Sequence, residues 1–473
     1  MHMLQQLNEQ IQRELQWINF DAPDWTTATT FEGQHVYDVV IIGGGQSGLA
    51  TAFALKKERI SNIIVLDENP EGYEGPWETY ARMVTLRTPK HITSVDLGHA
   101  SLTYQAWHTA KFGQASWDAL DKIPRSLWMQ YLRWYREVLQ LPIQNDTKVD
   151  VIEPLLNGMH RVCTGQTSII ARKVVLATGI QGGGEWHVPP TIKESIPKNY
   201  YAHTSEIIDM AALKNKRVAI IGGGASAFDN AYYTLQQGVQ QAHVFVRRQE
   251  MPRVNPIRQM EQSGLIERFH ALRDDEKYAA IAHFFRYNQP PTNDTFRRAA
   301  SYEGFALHTN SPILHVQETG KKEVAITTPH GTYHYDFIIV STGLLTNPAL
   351  RPELRLVEQH IARWSDCYKA PETMKHPLIE LHPYLQKGFE FTGRTPQGQD
   401  MLHGLFLFNY GALPSCGLVA SALSGMRFGV PRLVAAIADQ LFLDNRQQIV
   451  RDFLAYDVEE FVADEELHVT TNV

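Results

Sequence analysis

Cysteine is scarce in this chain of 473 residues. Only Cys163, Cys367 and Cys416 are present, far apart, and no CxxC pair exists. A vicinal redox dithiol of the thioredoxin-reductase kind is therefore excluded, as is a disulfide framework, and the sparse use suits a reducing compartment. Long uninterrupted apolar runs are missing too. The most apolar stretch, 417–443, is broken by Arg427, Pro431 and Arg432, which are costly in a bilayer, and residues 1–15 carry no apolar signal core. A basic excess is also absent. The formal net charge is -7, which argues against a general nucleic-acid binder. The expectation is a cytoplasmic protein with no membrane or nucleic-acid partner, acting on a small molecule.

What is present is core-forming residues in a repeating texture. Hydrophobic residues make up 43% and charged residues 20%, enough to bury two or three domains. In residues 1–34, Leu4, Leu7, Ile11, Leu15 and Ile18 recur at helical spacing. They predict an amphipathic extension that covers a core or supports a homodimer. From Val36 the pattern becomes βαβ: YDVVIIGGG reads as a buried strand entering a turn, GLATAFALKKERI as a helix, NIIVLDE as a second buried strand. ARKVVLATG ends this part on a strand and a sharp turn at Gly179. A Gly- and Pro-rich connection follows at 180–200, and the pattern restarts at Arg217, closing at YDFIIVSTG on Gly343. The fold class expected is α/β with two Rossmann-like dinucleotide-binding domains, the second inserted into the first. The expected division is an extension (1–34), an FAD-binding domain (35–180 and 345–473) and an inner NADP-binding domain (181–344).

The first loop, Gly43-Gly44-Gly45-Gln46-Ser47-Gly48, fits GxGxxG after an apolar strand and opens a helix. The first glycine permits the tight turn, Gly45 lets a pyrophosphate approach the backbone, and Gly48 lets helix pack on strand. Gln46 and Ser47 then begin a helix whose N–H groups face the phosphates. Asp67 closes the next strand, where a carboxylate takes ribose hydroxyls; Glu68 is its neighbour and second choice. The plainer reading of such a loop is a structural turn, and the strand, helix and acid around it favour a nucleotide. The second loop, Gly222-Gly223-Gly224-Ala225-Ser226-Ala227, fits GxGxxA. Its following strand ends in Arg247 and Arg248 instead of an acid. Basic residues there pair with a 2′-phosphate, pointing to NADPH, unless both are simply solvated at a strand end. Two dinucleotide sites imply two redox steps, with a retained flavin as hydride acceptor.

With these loops in place, the order of motifs resembles the class B flavin-dependent monooxygenases over about residues 36–435. Gly75-Pro76-Trp77 is similar to their Gly-Gly-x-Trp, the run TLRTPK around Arg87 to a segment lining the flavin, and Ala177-Thr178-Gly179 to their Ala-Thr-Gly turn. The resemblance implies that NADPH reduces FAD, that dioxygen then forms a peroxyflavin, and that one oxygen atom passes to a small organic substrate in a water-excluding site. This chain departs from the family at two places. Of the Phe-x-Gly-x-x-x-His fingerprint only His203 matches, Pro197 and Asn199 standing at the other positions, and Arg87 falls where an oxygen-activating asparagine stands.

Each candidate has a blander alternative. Trp77 either stacks near the flavin ring or is ordinary core. Arg87 either faces the flavin, stabilising developing negative charge as the one catalytic candidate, or is an ion-pair partner. The aromatic stretch from Tyr104 to Trp117 is either a substrate pocket or helix packing. His330 and His334 lack a third ligand, so no metal is expected. Residues 417–421 read as the start of a helix, and the resemblance implies that its N-terminus points towards the flavin. A reductase or oxidase passing electrons to a carrier or to dioxygen, and a sensor flavoprotein with little turnover, remain alternatives to oxygenation.

Overall fold

The computed structural model describes residues 2–165 and 167–460; the end of the expected outer segment, 461–473, lies outside the described residues. The first sheet is built on the strand Gln34–Ile42. Val39, Val40 and Ile41 there are fully buried, because both faces of a parallel sheet are covered. Ile63–Leu66 lies parallel on one side and Thr167–Leu176 on the other, with Ile42 in register with both Leu66 and Leu176. Ile143–Gln144 and Leu405–Leu407 extend the parallel order outwards. Three strand ends thus converge at Gly43, Asp67 and Ala177, the carboxyl edge where α/β sheets bind ligands.

The second sheet is wholly parallel, in the order Phe305–His308, Gln241–Phe245, Arg217–Ile221, Phe337–Val340, Tyr201–His203. A three-stranded antiparallel sheet, 315–335, packs Val316, Val324 and Ile326 against it. The chain passes between the two sheets twice, and the two passages, Gly184–Trp186 and Leu344–Thr346, pair antiparallel. The insertion expected from the motif order is therefore the observed chain path.

The helix His2–Trp17 buries Leu7, Ile11 and Leu15 in the first core, so the extension covers that core. The helices Tyr104–Phe112 and Gln114–Ala119 likewise bury Tyr104, Trp107 and Trp117 against Trp128 and Tyr131. The aromatic density is helix packing. The C-terminal reading shifts slightly: 417–420 is a 3-10 turn, and the long helix begins at Leu423 and runs to Leu454. Gly417 has φ +75, a left-handed conformation that ends the preceding short helix, and Phe269 packs directly over it.

One segment crosses between the bodies. Between the strands Gln241–Phe245 and Phe305–His308 the chain makes a helical excursion, 256–287. Met260, Ile266, Phe269, Tyr278, Ile281 and Phe284 from it join the first core and neither core of the second sheet. Ser424 Oγ donates to Glu261 at 2.6 Å and Tyr384 Oη to Asp274 at 2.8 Å, tying the excursion to the C-terminal part. Among the described residues no helix is long and apolar enough to cross a membrane.

Candidate active site

A cleft of about 2290 Å³ runs along the carboxyl edge of the first sheet and between the two bodies. Sites for one drug-sized ligand are typically about 300–1,000 Å³. This one has room for more than one large ligand. Gly43, Gly45, Gln46, Ser47, Asp67, Glu68, Trp77, Arg87 and Gly179 all line it. Gly48 does not. Its hypothetical Cβ would stand 1.9 Å from the Gly43 carbonyl oxygen, so its smallness serves helix–strand packing.

The first loop fits a dinucleotide on its own geometry. The helix Gln46–Lys57 begins at Gly45 with no side-chain cap, leaving its first N–H groups facing the cleft. A Cβ at Gly45 would meet only Gly75, at 3.8 Å, so nothing in the protein itself requires glycine there. Trp77 is buried, yet its Nε1 has no hydrogen-bond partner. A buried N–H without a partner costs free energy unless a ligand takes it. Asp67 and Glu68 differ in duty. The buried Asp67 carboxylate accepts from Gly44 N at 2.7 Å and from Asn69 N at 2.8 Å, stapling the loop, whereas Glu68 is exposed on the cleft wall. Trp128 Nε1 donates to Gln46 Oε1 at 3.3 Å and orients it, a contact no motif announces.

The second loop is arranged differently. None of Gly222, Gly224, Ala225, Ser226, Ala227, Arg247 and Arg248 lines the cleft. The carbonyl of Gln289, which does, accepts from the helix start: Ala225 N donates to Gln289 O at 3.0 Å. Arg248 Nη1 donates to Arg286 O at 2.7 Å, and Arg247 is exposed. The last turn of the helix Asp274–Tyr287, through Arg286, and the connection after it, through Gln289, thus contact both features that would hold a nucleotide's phosphates. Nearby, His203 stacks on Trp186 at 5.8 Å and its Nε2 meets Gly343 O at 3.0 Å; burial pulls its pKa down to about 4. It braces the paired passages between the bodies.

Arg87 lines the cleft and its Nη2 pairs with the buried carboxylate of Asp229, on the helix Ala225–Gln236 of the second unit. Of the two readings of Arg87, the ion pair is observed, and the paired residue also lines the cleft. Lys90 donates to Trp117 O and Leu120 O and caps that loop. Cys163, Cys367 and Cys416 are free thiols and none lines the cleft, so no dithiol chemistry serves it.

Two nucleotide-type sheets, an uncapped helix start on a glycine-rich loop and a shared cleft define a two-dinucleotide oxidoreductase. The family model for pyridine nucleotide-disulphide oxidoreductases matches residues 40–285, more than half of the chain. The chain belongs to that family. It is 54% identical over 461 residues, 97% of each protein, to the FAD-dependent urate hydroxylase of Xanthomonas campestris pv. campestris. Among solved structures it resembles an ornithine hydroxylase from Pseudomonas aeruginosa, with TM-score 0.67 and 17% identity over 86% of this chain and 100% of that one. It also resembles the FAD-bound cadaverine monooxygenase of Erwinia amylovora, with TM-score 0.64 and 18% identity over 93% of this chain and 100% of that one. At such identities the likeness is one of fold.

Proposed function

We propose that this protein is an FAD-dependent, NADPH-consuming monooxygenase that hydroxylates urate. The observation that carries the reading is the 54% identity to a urate hydroxylase along 97% of both chains. Bound FAD would supply hydride acceptance from NADPH and, once reduced, activation of dioxygen. The balance is urate, O2, NADPH and a proton giving hydroxylated urate, water and NADP⁺.

The chain's own residues have definable tasks in that reaction. The 43–48 loop and the helix start at Gln46 take the FAD pyrophosphate, with Glu68 and Asp67 at the ribose and Gly179 closing the wall. Trp77 Nε1 donates to the bound group. Gly222, Gly224, Ala225, Ser226 and Ala227 take the second nucleotide once the Gln289 contact is displaced, with Arg247 and Arg248 at its 2′-phosphate. Arg87 presents its remaining N–H donors to the cleft, where they stabilise negative charge. The helical excursion closes the cleft on the side of Leu418–Ser424 and keeps water out. In this reading residues 35–180 and 345–473 form the FAD domain and 181–344 the NADP domain. The free thiols suit a cytoplasmic setting, and the exposed Phe453 and Leu454 at the end of the last helix suit a homodimer.

The test is urate-dependent oxidation of NADPH by the FAD-loaded protein under ¹⁸O2. One labelled oxygen atom in the product supports the reading. NADPH oxidation indifferent to urate, with all oxygen released as peroxide, replaces it with the oxidase alternative.

A further inference from the structure

The helix Ala225–Gln236 does two things within its first turn and a half. It opens on the second glycine-rich loop, and it carries Asp229 and Asn230, both buried, to the segment 79–92 that lines the cleft. Asp229 takes Arg87. Asn230 Oδ1 accepts from Arg82 Nη1 at 3.2 Å, and Arg82 also donates to Thr204 O at 2.6 Å and Glu206 O at 2.7 Å. Asn230 Nδ2 in turn donates to Ser226 O at 2.8 Å, in the first turn of the same helix, directly after the glycine-rich turn. Arg82 is buried, and burial pulls its pKa down to about 10. A surface ion pair would hold nothing in place, but a buried arginine and carboxylate without their partners are strongly disfavoured, so this clasp fixes geometry.

Arg87 uses only Nη2 in this pair; its other N–H donors have no partner among the described residues, and the residue lines the cleft. Asp229 also sits four residues after Ala225, whose amide is held by the Gln289 carbonyl here and would meet the nucleotide once that contact is displaced. Any shift of the helix that moves the nucleotide's phosphates moves Arg87 with it. We propose that Asp229 is a positioning residue for Arg87, and that this clasp sets the spacing of nicotinamide and flavin during hydride transfer. The step moves one hydride with both its electrons from NADPH to FAD; NADPH is oxidised, FAD reduced, and no further co-reactant is needed. The inference rests on the cofactor assignment proposed above.

The test uses the full-length FAD-loaded protein with Asp229→Asn, which keeps the shape and loses the charge, and Asp229→Glu. Reduction by NADPH is followed anaerobically by stopped flow, beside reduction by dithionite. Asp229→Asn should slow reduction by NADPH about 10- to 100-fold, the cost of a small misplacement of reacting groups. It should weaken the long-wavelength charge-transfer band, leave the NADPH Kd and the dithionite rate unchanged, and be partly rescued in Asp229→Glu. Wild-type reduction with a wild-type band overturns the proposal. If Asp229→Asn fails to hold FAD, Arg87→Lys, which keeps charge but not the fork, must show the slowed reduction, and its normal reduction overturns the proposal equally. Hydrogen exchange on the apoprotein gives a readout free of cofactor: Asp229→Asn should raise exchange over 79–92 and 225–236 together, and unchanged exchange overturns the clasp. Failure of the wild type to be reduced by NADPH would instead sink the cofactor assignment, leaving the exchange result to judge the clasp.

Discussion

Replacing Gly45 by alanine separates a phosphate seat from a structural turn. Its backbone is extended, at φ -71 and ψ -173, which alanine adopts freely, and the added Cβ meets nothing closer than 3.8 Å. At a helix N-cap, alanine in place of glycine costs several tenths of a kcal/mol to about 1 kcal/mol. The stiffer unfolded chain returns about 0.4–1 kcal/mol. The apoprotein Tm should therefore move by no more than about 2–4 °C. Flavin affinity should behave otherwise, because the methyl group points where a pyrophosphate must approach. At least a 100-fold weaker Kd is expected, about 2.7 kcal/mol. Gly48→Ala is the internal contrast. Its Cβ would lie 1.9 Å from a backbone oxygen, no flexible side chain can yield, and the apoprotein should lose at least about 3 kcal/mol. Apoprotein melting by scanning fluorimetry and FAD titration by flavin fluorescence decide the matter. Wild-type flavin affinity in Gly45→Ala would refute the seat, and a marked loss of apoprotein stability would refute the reasoning from free space.

Three other outcomes follow from the same geometry. Trp77→Phe removes a buried N–H that has no protein partner, so the apoprotein should keep its fold while FAD binds about 5- to 10-fold more weakly, the worth of one hydrogen bond; equal affinity would return Trp77 to the core. Arg247→Ala should raise the KM for NADPH about ten-fold with little change for NADH, and parallel changes in both would remove the 2′-phosphate role. His160, His203 and His382 are buried and pulled from 6.5 down to about 4 by burial. Between these values the unfolded chain binds the protons first, so their stability contribution is complete above pH 6.5 and is lost as pH falls towards 4, by up to about 3 kcal/mol each. Urea unfolding at pH 7.5, 5.5 and 4.5 measures this, and a flat profile would contradict it.

The glycine-rich loops, the strands before them and the insertion of one sheet within the other were legible because they obey local rules: a buried parallel strand is a continuous apolar run, and a phosphate turn needs glycine at fixed offsets. The helical extension was legible from the spacing of Leu7, Ile11 and Leu15. What stayed hidden depends on contacts between distant segments. Nothing near Asp229 marks it as the partner of Arg87, and nothing in the run YNQPP announces that the Gln289 carbonyl caps Ala225. The aromatic stretch from Tyr104 to Trp117 was ambiguous because a pocket and a core ask for the same residues, and only the position of the neighbouring helix separates them. Asp67 outranked Glu68 by its place after the strand, yet its depth gives it a structural duty that leaves Glu68 the more open carboxylate.

The excursion 256–287 has a consequence for anyone who would build with this molecule. Its six large apolar side chains contribute on the order of 10 kcal/mol to a core that belongs, by chain order, to the other sheet. Exchanging nucleotide specificity with a relative by grafting residues 181–344 whole would import a wall evolved against a different partner and break that core. A graft that leaves 256–287 in place and swaps only the sheet around it would keep the core whole, at the expense of two more junctions, both in segments that already bend. The unit that can be traded is the packing unit, and here it is discontinuous in sequence.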